Sequence, residues 1–216
     1  FYEKYHDGSW MIHVIPSTVI LQILSYIGLF ANLNIVYATV YNKYLQSNCN
    51  ILIAERAIFE VICQMGHWIY GVIIFGKINF ISFNLCFKLM NYSVFGMCAG
   101  AFMPLVIGVD RLFSVISPTI YRNMNKIYLV IMVIIPFIYA AVVWFLNFQQ
   151  MNTEPETPIT CFAPELIRGP VKIVWTVMQT VTNIAVLTVY GILWICVKCY
   201  SKCEQTTVIL KIKIFS

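Results

Sequence analysis

The chain has 216 residues, of which 60% are hydrophobic and 11% charged, with a formal net charge of +5. Soluble domains carry about a quarter charged residues, so this composition, with a mean hydropathy of +0.79, selects a membrane protein over a soluble one. The positive charge is scattered without a basic run, which leaves nucleic-acid binding unsupported.

Charges are missing from four long stretches: between Asp7 and Lys43, Lys88 and Asp110, Lys126 and Glu154, and Lys172 and Lys198. Each is long enough for a helix of roughly 20 residues, which crosses a hydrocarbon core of about 30 Å. A fifth apolar stretch, Ile51 to Phe75, is interrupted by Glu55, Arg56 and Glu60. The expectation is an all-α membrane protein with helices at 14–41, 51–75, 82–115, 125–147 and 170–199 in one domain spanning 1–216. Five such segments leave too little polar sequence to bury them inside a soluble protein. The first is far longer than the roughly 7–15-residue core of a signal peptide.

The second segment carries Glu60 about 15 Å along the helix from Asn50. An intramembrane carboxylate is a functional candidate by default, here for sodium binding, for protonation or for a hydrogen bond to Asn32. Glu55 and Arg56 lie nearer the helix start, where they can snorkel to the interface. The third segment runs from Cys86 to Asp110-Arg111, roughly 38 Å at 1.5 Å per residue, a full crossing. Pro16, Pro104 and Pro136 are tolerable in membrane helices. Asn91-Tyr92-Ser93 is a formal glycosylation sequon, but its place within a spanning helix argues against its use. His6, His13 and His67 are dispersed without metal-ligand spacing, and no set of catalytic groups is visible.

With the N-terminus outside, the inner connectors hold Lys43, Arg111, Arg122, Lys126, Lys198, Lys202, Lys211 and Lys213. The outer ones hold Lys4, Lys77, Lys88, Arg168 and Lys172, a bias that follows the positive-inside rule. The acids Glu3, Asp7, Glu154, Glu156 and Glu165 then lie outside. On this topology Cys86 and Cys161 are the cysteines that face the oxidising compartment, so a Cys86–Cys161 disulfide is the natural pairing. Cys63 and Cys98 are placed as packing residues. Cys49 falls in the first inner loop, and Cys196, Cys199 and Cys203 at the inner end of the fifth helix are candidates for palmitoylation or free thiols.

Gly108-Val-Asp110-Arg111-Leu-Phe-Ser-Val-Ile-Ser-Pro118-Thr-Ile-Tyr121 resembles the signature that ends the third helix of rhodopsin-like G-protein-coupled receptors. Leu112 in place of the commoner Tyr is similar to the nematode serpentine chemoreceptors, especially the Srsx class. Gly28 to Asn32 resembles the family's first-helix motif, Asn50 to Glu60 the second helix, Cys86 and Cys161 the outer disulfide, and Tyr190 the fifth-helix tyrosine. The usual fifth-helix proline would fall near Thr182 and is missing.

The resemblance implies a receptor that senses a small molecule or peptide outside and couples to a heterotrimeric G protein inside, from the plasma membrane. Asp110, Arg111, Pro118, Tyr121 and Tyr190 would serve G-protein coupling, with Arg111 held by Asp110 at rest and turning toward Tyr190 on activation. Asn32 and Glu60 would form an intramembrane polar network. Ligand-pocket candidates are His67, Asn91, Tyr92, Ser93, Met97, Trp175, Gln179 and Asn183. Ser93 stands where amine receptors carry an Asp, so an amine held by an ion pair is disfavoured. The family has seven helices and five are legible, so the chain is expected to be an incomplete, non-signalling fragment whose third inner loop begins near Ser201. The alternative is a five-helix transporter or channel subunit, suggested by Glu55, Arg56 and Glu60 within one helix and opposed by the absence of an inverted repeat.

Overall fold

The computed structural model describes residues 14–78, 80–124 and 126–215, with side chains as far as Cys199. Glu3, Lys4, His6, Asp7 and His13 lie outside the described residues, as do the side chains of Lys202, Cys203, Lys211 and Lys213. Among the described residues, five helices are long and apolar enough to cross a membrane.

Helix α1 (Ile15–Tyr41) starts with Pro16 in its first turn, where a missing N–H costs nothing. A 3₁₀ turn (Lys43–Leu45) leads to α2 (Asn48–Phe75). The Ser47 hydroxyl accepts from the Asn50 backbone N–H, a cap that starts α2 ahead of the expected position 51. The Ser82 hydroxyl caps α3 (Phe83–Ile116) in the same way, through the N–H of Leu85. Pro118 opens the short α4 (Pro118–Arg122).

Helix α5 (Lys126–Thr153) continues beyond the expected end at 147. The fully buried Asn147 is accommodated there by donating its amide to the Val143 carbonyl at 3.1 Å, so polarity does not end the helix. Helix α6 runs from Gly169 to Phe215. A loop was expected after 199. The stretch Ser201–Phe215 contains neither Gly nor Pro to stop a helix.

Helix α3 is the centre of the bundle. More than half of its most apolar stretch is buried, against 6% for α1 and for α6. It packs on α2, α5 and α6, and Phe87, Met90, Val94, Cys98, Ala99 and Met103 form the spine of the core. Gly96 lets α2 and α3 approach backbone to backbone: a Cβ there would stand 2.8 Å from the Phe59 carbonyl oxygen. Such small-residue contacts are how membrane helices pack closely without a hydrophobic driving force between them. The outer faces of α1 and α6 carry exposed Phe30 and Leu187, suited to lipid rather than water.

One end of α3 is roofed by the α5–α6 connector. Strands β1 (Ile81–Ser82) and β2 (Pro158–Ile159) pair antiparallel, with Ile81 opposite Ile159. The N–H groups of Phe83 and Asn84 donate to the carbonyls of Thr157 and Pro155 at 2.9 and 3.0 Å. Two otherwise orphaned donors of the first helical turn are thus satisfied by the connector. The connector continues through Cys161 (φ 52°) into a 3₁₀ turn (Ala163–Leu166). Ala163, Leu166 and Ile167 are fully buried there.

Candidate functional site

At the opposite end of α3, Asp110 is fully buried. Its partners are phenols. The Tyr121 hydroxyl lies 3.0 Å from Oδ1 and 3.1 Å from Oδ2, and the Tyr128 hydroxyl donates to Oδ1 at 3.2 Å. The local sequence explains the geometry. Ser117 leaves the helical region (φ −133°, ψ 64°), Pro118 restarts the chain as α4, and that turn carries Tyr121 back toward α3. Phe113 completes a ring triangle with Tyr121 and Tyr128, the centroids 6.1 to 6.3 Å apart. Burial first, then the Asp110 carboxylate, pushes the Tyr121 phenol up to about 12, so it remains a donor at any physiological pH.

Arg111 is exposed, and among the described residues it forms no ion pair with Asp110 within 4.0 Å. The expected Asp110–Arg111 lock is replaced by the two tyrosines. The physical reason is that neighbouring residues point about 100° apart around a helix axis. Asp110 turns inward and Arg111 outward. The buried Cys49 thiol, at the start of α2 rather than in a loop, contacts both side chains. Tyr190 of α6 approaches α3 two residues before Asp110, at Gly108. A Cβ on Gly108 would stand 3.0 Å from Tyr190 Cε2 and 3.1 Å from Val189 Cγ1. The missing proline leaves no defect, because Thr182 is buried and its hydroxyl donates to the Met178 carbonyl at 2.8 Å.

Asn32 and Glu60 line one cavity of about 250 Å³, together with Arg56. No hydrogen bond joins Asn32 to Glu60 among the described residues. Instead Arg56 Nε lies 3.9 Å from Glu60 Oε1, one turn away on α2. The charged group beside Glu60 is therefore the chain's own guanidinium. This accounts for Arg56, which had no role from sequence. Of the three charges that suggested an ion pathway, two thus lie beside each other along one helix face, and Glu55 remains without a hydrogen-bond partner.

At the roofed end, Cys86 and Cys161 form the expected disulfide, with Cα atoms 5.5 Å apart. The eight ligand candidates part company there. Ser93 is fully buried and donates to the Cys63 carbonyl at 3.0 Å, tying α3 to α2. His67 Nδ1 pairs with the Ser25 hydroxyl at 2.9 Å and ties α2 to α1. The Asn91 amide turns back to the Lys88 carbonyl at 3.3 Å. Tyr92 and Met97 are half-buried, and Asn183 is exposed.

Trp175 and Gln179 differ from the rest. They stand one turn apart on α6, and Trp175 Nε1 and Gln179 Oε1 are buried without a hydrogen-bond partner. A buried donor and acceptor left unpaired cost free energy unless something else meets them. Sequence reading missed Tyr128 and Cys49 as neighbours of Asp110. The signal was present: both sit at the beginnings of spanning helices on the Asp110 side.

No curated protein matches the chain. Residues 25–215 match the family model described as serpentine type 7TM GPCR chemoreceptor Srsx. The match covers α2 to α6 and most of α1, and so includes the disulfide, the Asp110 cluster and the Arg56–Glu60 pair. This is a family of receptors, not of enzymes or transporters. A bundle of apolar spans around α3, roofed by a disulfide-bonded connector and closed at its other end over Asp110, agrees with that match: the chain is an integral membrane protein of the Srsx family of serpentine seven-transmembrane G-protein-coupled chemoreceptors.

Proposed function

We propose that this chemoreceptor binds an uncharged small molecule at its disulfide-bearing end and activates a heterotrimeric G protein at the end that carries Asp110 and Arg111. The chain sits in the plasma membrane with its N-terminus outside. Two features support that sidedness. The disulfide needs an oxidising compartment, and Lys43, Arg111, Arg122, Lys126 and Lys198 gather at the other end. Trp175 Nε1 and Gln179 Oε1 offer the ligand one donor and one acceptor, as a small-molecule pocket requires. Ser93 leaves no carboxylate there for an amine.

The observation that carries the reading is the buried Asp110 held by two tyrosine hydroxyls, one from the α3–α5 connector and one from α5. A carboxylate that clamps a connector to the central helix is a two-state element that a ligand can bias. When Asp110 lets go of Tyr121, α4 is free to move. Arg111, already exposed, then reaches the G protein and the Tyr190 ring beside Gly108.

The test is nucleotide exchange on heterotrimers of each Gα class, in membranes that carry a seven-helix receptor containing this chain, or the same receptor with Asp110→Asn. Asn weakens the tyrosine bonds and is expected to raise exchange above the wild-type level. No exchange from either protein with any Gα class overturns the coupling reading.

A further inference from the structure

A second cavity, of about 610 Å³, lies on the outside of the bundle at the Asp110 end, where α1, α2 and α5 meet. Its walls are mostly apolar, with Val36 and Val40 from α1, Ile58 from α2 and Val133 from α5, and with Thr39 and Gln46 donating to the Ile35 and Val40 carbonyls. Two charged residues also line it. Lys126 is the first residue of α5, and Glu55 lies seven residues, roughly 10 Å, along α2 from its start. They are not ion-paired within 4.0 Å.

Glu55 is 9% exposed, and both its carboxylate oxygens are buried without a hydrogen-bond partner. A carboxylate stranded this way is costly beside hydrocarbon, and the receptor site described above does not use it. Helical Cα–Cβ bonds tilt toward the N-terminal end, which for α2 is the end nearer the headgroup layer.

We propose that this groove is a binding site for a phospholipid whose headgroup joins a phosphodiester to a primary ammonium, the phosphatidylethanolamine type. The argument is charge complementarity: one carboxylate and one ammonium line the same apolar groove. An ammonium donates to Glu55 and satisfies its orphaned oxygens after a rotation of the side chain. The phosphate, two carbons away, meets the Lys126 ammonium. The acyl chains lie along Val36, Val40, Ile58 and Val133. A quaternary ammonium has no N–H to donate and leaves Glu55 unsatisfied. A serine headgroup brings a further carboxylate beside Glu55. The inference rests on the sidedness proposed above only in assigning the groove to the inner leaflet.

The test uses purified receptor in lipid nanodiscs and reads retained lipid by native mass spectrometry. Equal amounts of phosphatidylcholine, phosphatidylethanolamine and its N-monomethyl and N,N-dimethyl forms are supplied together. Retention is expected to fall with each methyl group, with the ethanolamine lipid favoured about tenfold over the choline lipid, the scale of one charge-assisted hydrogen bond. Glu55→Gln is expected to erase the ladder, whereas Lys126→Gln weakens all four lipids together. The wild-type ladder needs no variant to fold. Equal retention of all four lipids overturns the proposal, as does a ladder unchanged in Glu55→Gln or occupation of the groove by a sterol. A seven-helix receptor containing this chain that binds the lipid but activates no G protein sinks the coupling reading and leaves this one standing.

Discussion

The Tyr121 hydroxyl lies within hydrogen-bonding distance of both carboxylate oxygens of Asp110, across eleven residues of chain and the break at Ser117. A buried carboxylate and a connector tyrosine are thereby one unit, and the remaining contact from Tyr128 reaches only Oδ1.

Tyr121→Phe removes the hydroxyl that reaches both oxygens and leaves the ring packing in place. The cost expected is about 1–3 kcal/mol, the range for stranding a buried polar group. Tyr128→Phe is expected to cost less, because Oδ1 retains Tyr121. Thermal unfolding of both single variants and the double variant measures this. Strictly additive losses would show that the two phenols do not share Asp110.

The same contact predicts an alkaline signature. Tyr121 is held near 12 against an ordinary value near 10. A group whose folded value is raised stabilises the fold fully below the unfolded value and loses that contribution as pH rises through the folded one. The stabilisation from Tyr121 is therefore present up to about pH 10 and lost toward about pH 12. Ultraviolet difference titration of wild type against Tyr121→Phe should lose a tyrosinate step near the upper limit. A missing step near pH 10 would contradict the contact.

Gly108→Ala places a methyl 3.0 Å from Tyr190 Cε2. Either α6 yields by a few tenths of an ångström or the ring turns away, at a cost of about 1–3 kcal/mol for an overpacked core contact. Adding Tyr190→Ala should relieve most of the loss. If melting temperatures show no such rescue, Tyr190 does not seat on Gly108.

Arg56 and Glu60 should behave as a pair. Arg56→Gln leaves an unneutralised carboxylate within a membrane span, whereas the double change to Gln removes both charges. The double variant is expected to melt above the Arg56→Gln single variant. Equal destabilisation by the single and double changes would show that the 3.9 Å contact contributes nothing.

Much of this architecture was legible because bilayer length and charge exclusion act on long stretches of chain. The gaps between charges located the spans, and Cys86 and Cys161 emerged from their shared side of the membrane. Details set by direction around a helix were not legible. The resemblance implied that Asp110 holds Arg111, but one turns inward and the other outward. Ser93 and His67 looked available to a ligand and instead bond to neighbouring helices. Helix α5 runs past the expected end at 147 to Thr153, because the backbone has no reason to break there. Arg56 became intelligible only with Glu60 one turn below it.

The roof over α3 has a mechanical consequence. The carbonyls of Thr157 and Pro155 finish the first turn of a 34-residue helix, so the connector and the helix end move as one body. At 1.5 Å per residue that helix is a rod of about 51 Å. One tip is welded to the connector by Cys86 and the other grips α4 through Asp110. Pro104, which cannot complete a backbone hydrogen bond, is the joint where the rod can bend. A push on the connector is delivered lengthwise to the tyrosine clamp, or is absorbed at that joint.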